Sequence, residues 1–97
     1  MNIQAMMAQA KKLQKELENT TKEIETTIYK YENENILVEV YGSNIIKKIE
    51  IKNDDALVDK ELLSDIIQVG INDVLKQIKS DKEKKLGKYT NGLGGLF

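Results

Sequence analysis

The spacing of apolar residues changes twice along this chain, which divides it into a helix, a group of strands and a second helix. From Ile3 to about Thr26, apolar residues recur at alternating steps of three and four among strong helix formers, a pattern typical of an amphipathic helix. Asn2 is suited to cap its first turn. At 1.5 Å per residue this helix would be about 37 Å long. It should therefore project or meet a second chain; the alternative is that it packs along its own domain.

Residues 27–52 alternate with a period of two and are richer in β-branched and aromatic residues, as in strands. We predict three strands, at residues 27–33, 36–41 and 45–52. The connections at residues 34–35 and 42–44 are short enough for hairpins. The strands should therefore form a three-stranded antiparallel sheet.

The two faces of this predicted sheet differ in polarity. The core face should be formed by Ile36, Val38, Val40, Ile45, Ile49 and Ile51. The opposite face should carry Leu37, Tyr41, Tyr29 and Tyr31 among charged residues. A second face that is partly apolar suggests contact with another subunit or a crossing helix.

A second long helix should follow Asp59, which can cap it. Its apolar face between residues 62 and 78 is broad, as a helix lying on a sheet requires. Gly70 on this face costs up to about 1 kcal/mol relative to alanine. Either it permits close approach of another backbone, such as that of a symmetry mate, or it is a tolerated weakness. The predicted dimer interface comprises Leu37, Tyr41, Tyr29, Tyr31 and Gly70.

The order of elements indicates an α+β fold of the form α-β-β-β-α, with two long helices. We assign residues 1–86 to a single domain. Residues 87–97 contain four glycines and are predicted to be a flexible tail, although Leu93, Leu96 and Phe97 could dock on another surface. At 97 residues the margin of stability is thin, so an oligomer is a reasonable expectation.

The residue inventory argues against most enzymes. The chain has no Cys and no His, so the usual ligands of zinc, iron–sulfur and haem sites are missing, as are Cys–His and Ser–His nucleophiles. Acids at positions 54, 55, 59 and 61 could form an acid/base pair or a hard-cation site. They serve equally well as turn and cap residues. We expect no enzyme, no cofactor, no metal and no small-molecule substrate.

No apolar run approaches the roughly 20 residues that cross a bilayer, and the N-terminus lacks the features of a signal peptide. The expectation is a cytoplasmic protein without a membrane partner.

Charge is distributed unevenly, although the net charge is only −1. Residues 50–65 hold six acids against two lysines, whereas residues 76–88 hold six lysines against two acids. Such separation should steer a polyanion to the basic parts. The candidate DNA-binding residues are Lys11, Lys12, Lys15, Lys76, Lys79, Lys82, Lys84, Lys85 and Lys88. The alternative is a solvated helix end that interacts favourably with the helix dipole.

All 15 cationic side chains are lysines. Lysine suits phosphates, whereas reading guanine edges usually needs the two-pronged guanidinium of arginine. Binding to DNA should therefore depend weakly on sequence and strongly on salt.

Four segments in order resemble the YbaB/EbfC family of bacterial nucleoid-associated proteins. They are residues 6–15 (MMAQAKKLQK), 38–51 (VEVYG through IEI), 63–78 containing Asn72-Asp73, and 87–97 (GKYTNG through GLF). The resemblance implies a tweezer-like homodimer whose projecting helices grip double-stranded DNA in the nucleoid. It assigns DNA contacts broadly to the Lys11–Lys15 and Lys76–Lys88 regions and implies no catalytic residues. The alternative function is a protein–protein adaptor for replication or recombination machinery, docking through the long helices and the apolar tail.

Overall fold

The computed structural model describes residues 2–92 and the side chains of residues 2–89. The elements are α1 (Ile3–Thr26), β1 (Ile28–Glu32), β2 (Ile36–Tyr41), β3 (Ile46–Ile51), a 3₁₀ turn (Asp54–Leu57) and α2 (Lys60–Gly92). The predicted α+β fold and the α-β-β-β-α order are confirmed.

Both helices begin at the predicted cap residues. Asn2 Oδ1 accepts hydrogen bonds from the backbone N–H groups of Gln4 and Ala5, at 3.1 and 3.3 Å. Asp59 Oδ1 accepts from the N–H groups of Glu61 and Leu62, at 3.0 and 3.1 Å. Each cap satisfies two of the backbone donors that a helix start leaves without partners.

The sheet is antiparallel with the order β1-β2-β3. Tyr29 pairs with Val40 and Tyr31 pairs with Val38. Residues directly opposite each other in an antiparallel pair project from the same face. Both tyrosines therefore lie on the core face with the β2 valines, and the prediction that they lie on the opposite face was wrong.

A bulge in β3 also changes one predicted orientation. Glu39 pairs with Lys48, but Val40 pairs with Ile46, which leaves Lys47 as an extra residue. An extra residue reverses the side-chain alternation beyond it. Ile46 therefore shares the core face, and the prediction of Ile45 there was wrong.

Helix α2 lies across β1 and β2 on the core face. The buried cluster consists of Ile36, Val38, Val40, Val74 and Ile78. A Cβ atom on Gly70 would lie only 2.9 Å from Val38 Cγ2 and 3.4 Å from Tyr31 Cδ2. The sequence suggested that another backbone approaches Gly70, but the nearest atoms are side-chain atoms of the sheet in the same chain.

Helix α1 is joined to the rest of the subunit at the β2–β3 turn. The Gly42 N–H donates to the Thr27 carbonyl at 3.0 Å, and Ile24 is buried at this junction. Within the described residues, α1 contacts only α2 and β2. The subunit measures 69 × 20 × 16 Å, so α1 extends away from the sheet with α2 of the same chain beside it. Of the two alternatives for this helix, the structure shows the projecting one.

Helix α2 continues to Gly92, six residues past the predicted end of the folded domain at residue 86. A side chain at Gly87 would meet no atom within 4 Å, and Tyr89 is buried. Burial of a side chain such as that of Tyr89 extends a helix beyond what local propensity supports. Leu93, Leu96 and Phe97 lie outside the described residues.

Candidate nucleic-acid interface

The helical arm, defined as residues 3–26 of α1 and 76–92 of α2, carries all nine candidate lysines. The side chains shielded on α1 are those of Leu13, Glu16, Leu17, Thr20, Thr21 and Ile24. On the α2 part they include Ile78, Asp81, Lys82, Leu86 and Tyr89. The spacing of three and four on α1 gives one packed stripe against α2.

The lysines of α1 lie on its solvent side. Lys11, Lys12 and Lys15 are exposed. At about 100° per residue, Lys11 and Lys15 point away from the stripe that contains Leu17 and Ile24. They form one small basic surface on the arm.

The six lysines of α2 do not form a stripe. All are exposed except the half-buried Lys82. At about 100° per residue they point in directions roughly 60° apart, which together surround the helix. The structure therefore brings these lysines to one segment of the molecule but not to one face. A phosphate backbone would meet lysines from several approach directions.

Two of the six lysines have partners within the subunit. Lys85 Nζ lies 3.0 Å from Asp81 Oδ2, and Lys88 Nζ lies 5.0 Å from the centre of the Tyr89 ring. Among the described side chains, Lys76, Lys79 and Lys84 have no ion pair. These three are the α2 cations most available to an external anion.

A hydrogen bond between distant parts of the chain holds the base of the arm. The Tyr29 hydroxyl on β1 donates to Asp81 Oδ2 at 2.5 Å. This bond, followed by that from Lys85, lowers the pKa of Asp81. Burial, reinforced by the bond to Asp81, raises the pKa of Tyr29 to about 12. Sequence reasoning missed this pair because it placed Tyr29 on the other face; the register of the first hairpin carried the needed signal.

A second bond connects the same two elements. Gln77 Nε2 donates to the Lys30 carbonyl at 3.1 Å and to Asp73 Oδ1 at 2.7 Å. Residues 77 and 81 are one helical turn apart, so α2 is linked to β1 at two successive turns as it leaves the sheet.

The predicted interface residues fall in different environments. Leu37 and Tyr41 are half-buried on the face away from α2. Tyr29 and Tyr31 pack against the core, and Gly70 of α2 is buried against the sheet. No predicted residue thus lies on the main uncovered part of the core face.

That uncovered part lies over β3. In the described residues α2 contacts β1 and β2 but not β3. Ile46 and Ile49 are consequently 48% and 39% exposed, and Leu75 on the β3 side of α2 is 38% exposed. We call these three residues the apolar strip.

Two of the acids for which the sequence left open a structural or a chemical role lie at a helix start and in a turn. Asp59 caps α2, and Asp55 lies in the 3₁₀ turn that Asn53 caps. Residues 2–92 contain no group of three or more His, Cys, Asp or Glu side chains placed to hold a metal ion. No described helix has an apolar stretch that would cross a membrane.

Comparison with known proteins identifies the family. The model of the YbaB/EbfC DNA-binding family matches residues 1–93. A nucleoid-associated protein of Lactococcus lactis subsp. lactis is 41% identical over 96 residues, covering 96% of this chain and 97% of the relative. One from Enterococcus faecalis is 35% identical, covering 98% and 94%.

An uncharacterized protein of Helicobacter pylori has the same fold, with a TM-score of 0.69 at 20% identity. The superposition covers 97% of this chain and 99% of that one. The family match spans nearly the whole sequence, and the arrangement of helices and strands agrees with it. The chain therefore belongs to the YbaB/EbfC DNA-binding family.

Proposed function

We propose that this protein binds duplex DNA with little sequence preference, through contacts between the lysines of the helical arm and DNA phosphates. The observation that carries the proposal is that Lys76, Lys79 and Lys84 are exposed and have no ion pair in the described part of the chain. Lys11, Lys12 and Lys15 add cations on the adjoining helix. The names of the Lactococcus and Enterococcus relatives support a role in the nucleoid.

The chemistry of lysine explains why sequence should matter little. An ammonium group is a compact charge that pairs with phosphate in many geometries, whereas base reading needs side chains with fixed hydrogen-bonding patterns. Lysines that surround α2 are suited to the first task and not to the second. The six acids of residues 50–65 repel phosphate, so DNA should approach the arm rather than the acidic end.

The protein is accordingly proposed to act by binding alone, without catalysis or a cofactor, in the bacterial cytoplasm at the nucleoid. DNA and a second copy of the chain are its proposed partners.

A salt titration tests the DNA proposal. We expect two duplexes of equal length and unrelated sequence to bind with dissociation constants within a factor of about three of each other. Six to ten phosphate contacts would weaken binding roughly 10³–10⁵-fold between about 50 and 200 mM salt, because counterions are released on binding. Fluorescence anisotropy measures both quantities. Salt-insensitive binding, or a strong preference for one duplex, would contradict the proposed mechanism.

We also propose that the protein is a homodimer in which a second copy covers the apolar strip. Ile46, Ile49 and Leu75 adjoin the core directly, and a small domain gains stability by burying such a surface. Two copies would provide two helical arms, in agreement with the tweezer shape that the family resemblance implies. Leu37 and Tyr41, on the opposite sheet face, offer the competing interface.

Sedimentation of point variants locates the interface. The wild-type protein should sediment at twice its chain mass of 11.0 kDa at micromolar concentration. Ile49→Asp should sediment as a monomer, because a carboxylate would be buried at the contact. Leu37→Asp, which places the same charge on the other face, should remain dimeric. The reverse result would move the interface to Leu37 and Tyr41, and a wild-type monomer would refute the dimer.

The adaptor function has one observation in its favour. Ile3, Met6 and Met7 at the start of α1 are 70%, 57% and 56% exposed, which suits a protein partner. The adaptor alternative predicts no duplex binding even at low salt. The same anisotropy titration therefore decides between the two functions.

A further inference from the structure

Two acids, Asp81 and Glu83, interrupt the lysine-rich part of α2, and their side chains lie in different environments. Glu83 is exposed and has no ion pair among the described side chains. The Asp81 side chain is only 24% exposed and accepts hydrogen bonds from both Tyr29 and Lys85. Of these two acids, Asp81 is the one that accepts a hydrogen bond from the sheet.

Asp81 lies less than one turn beyond Ile78, an α2 residue of the buried core cluster, and bonds to the sheet from there. Tyr29 is the second residue of β1 and pairs with Val40 near the end of β2. One turn earlier, Gln77 bonds to the Lys30 carbonyl of the same strand. Helix α2 also contacts α1. The direction of the segment that holds Lys82, Lys84, Lys85 and Lys88 thus depends on how α2 is held at residues 77 and 81.

We propose that Asp81 is a positioning residue for DNA binding: it accepts the Tyr29 hydroxyl and thereby fixes the direction of the lysine-bearing end of α2. This inference rests on the proposed DNA-binding function. Asp81 then favours DNA binding through geometry, although its own charge opposes it.

Electrostatics alone predicts the opposite sign for Asp81. A carboxylate near the DNA repels phosphate, so its removal should strengthen binding. Glu83 should follow this rule. Removal of Asp81 also releases the hydrogen bond to β1, so the lysines beyond it sample more directions and must be ordered on binding, which costs affinity. The comparison of Asp81 with Glu83 therefore separates a positioning role from a simple charge effect.

An ion pair with Lys85 is the competing explanation for Asp81. Pairs at i,i+4 on an exposed helix contribute little. Tyr29→Phe distinguishes the two explanations, because it removes the bond to the sheet, leaves the Asp81–Lys85 pair and changes no charge at neutral pH.

The test measures duplex affinity of the full-length protein at one low salt concentration. Glu83→Ala should tighten binding about two- to fivefold, within the effect of one charge on counterion release. Tyr29→Phe should weaken it about fivefold, because the lysines beyond Asp81 must then be ordered on binding. Asp81→Ala should bind no more tightly than wild type despite the same charge change as Glu83→Ala. Asp81→Asn keeps an oxygen acceptor and should restore or exceed wild-type affinity.

A second measurement checks the contact without DNA. In an absorbance titration of the four tyrosines, one phenol should titrate with a pKa of about 12. That titration should be absent in Tyr29→Phe, move to lower pH in Asp81→Ala and stay unchanged in Glu83→Ala.

The outcomes separate the proposed DNA-binding function from the proposed positioning role of Asp81. Failure of the wild-type protein to bind any duplex at low salt would overturn the DNA-binding function, while the phenol titration would still report the contact. Equal tightening by Asp81→Ala and Glu83→Ala, with Tyr29→Phe unchanged, would overturn the positioning role while leaving DNA binding intact.

Discussion

Replacing Lys76, Lys79 and Lys84 with glutamine is expected to weaken duplex binding roughly 10²–10³-fold at about 0.1 M salt, since each phosphate contact contributes about 0.9 to the logarithmic salt slope. These lysines are exposed and have no ion pair among the described side chains. Their removal should therefore leave the fold intact. Counted for one arm on the duplex, the salt slope should fall by about three units in the same titration, and the losses are larger if both arms of a dimer bind.

The matched control neutralises three lysines away from the arm. Lys30, Lys47 and Lys60 are exposed on β1, at the β3 bulge and at the start of α2. Either triple substitution changes the net charge from −1 to −4, by subtraction of three charges from the wild-type value. The control should lose no more than about tenfold in affinity, from the loss of long-range attraction alone. Equal losses in the two variants would mean that total charge, and not the arm, determines binding.

The elements of this fold could be predicted because their signals are local. Asn2 and Asp59 lie within three residues of the backbone donors that they cap, and the periodicity of each segment is visible in a short window. Local consistency of this kind is what makes element type readable from one sequence.

Side-chain orientation across the sheet was harder to predict. The orientation of Ile45 and Ile46 depends on a bulge opposite Glu39 and Val40, which the alternation within β3 does not reveal. The faces of Tyr29 and Tyr31 depend on hairpin pairing with β2. Both are properties of strand pairs, so a strand considered alone gives the wrong face.

The candidate site was predictable in composition but not in geometry. The sequence located the lysines and their excess in residues 76–88, whereas the position of Lys88 on α2 requires the helix to continue past Gly87. Asp81 looked like a simple charge within that segment, because its partner Tyr29 is 52 positions away. The distinction between Asp81 and Glu83 exists only in the folded chain.

Among the alanine substitutions at Gly42, Gly70 and Gly87, Gly42→Ala is expected to cause the largest loss of stability. A Cβ atom there would lie 1.9 Å from the Ile24 carbonyl oxygen and 2.6 Å from its carbon. Both are backbone atoms, which no side-chain rotation can move away. Relief requires α1 to separate from the β2–β3 turn, so we expect a loss of about 3 kcal/mol or more in the free energy of unfolding. The corresponding fall in melting temperature is roughly 10–20 °C.

The other two glycines give graded controls for this prediction. Gly70→Ala brings a Cβ to 2.9 Å from the Val38 side chain, a contact that partial repacking can relieve, so it should cost about 1–2 kcal/mol. In Gly87→Ala the new Cβ lies inside a helix and meets no atom within 4 Å. This substitution should raise the free energy of unfolding by about 0.5–1 kcal/mol. Urea unfolding at one fixed protein concentration measures all three, because dimer formation would make stability depend on concentration. If Gly42→Ala were as stable as Gly87→Ala, α1 could not be held against the turn at Ile24, and the arm would lack the junction from which it projects.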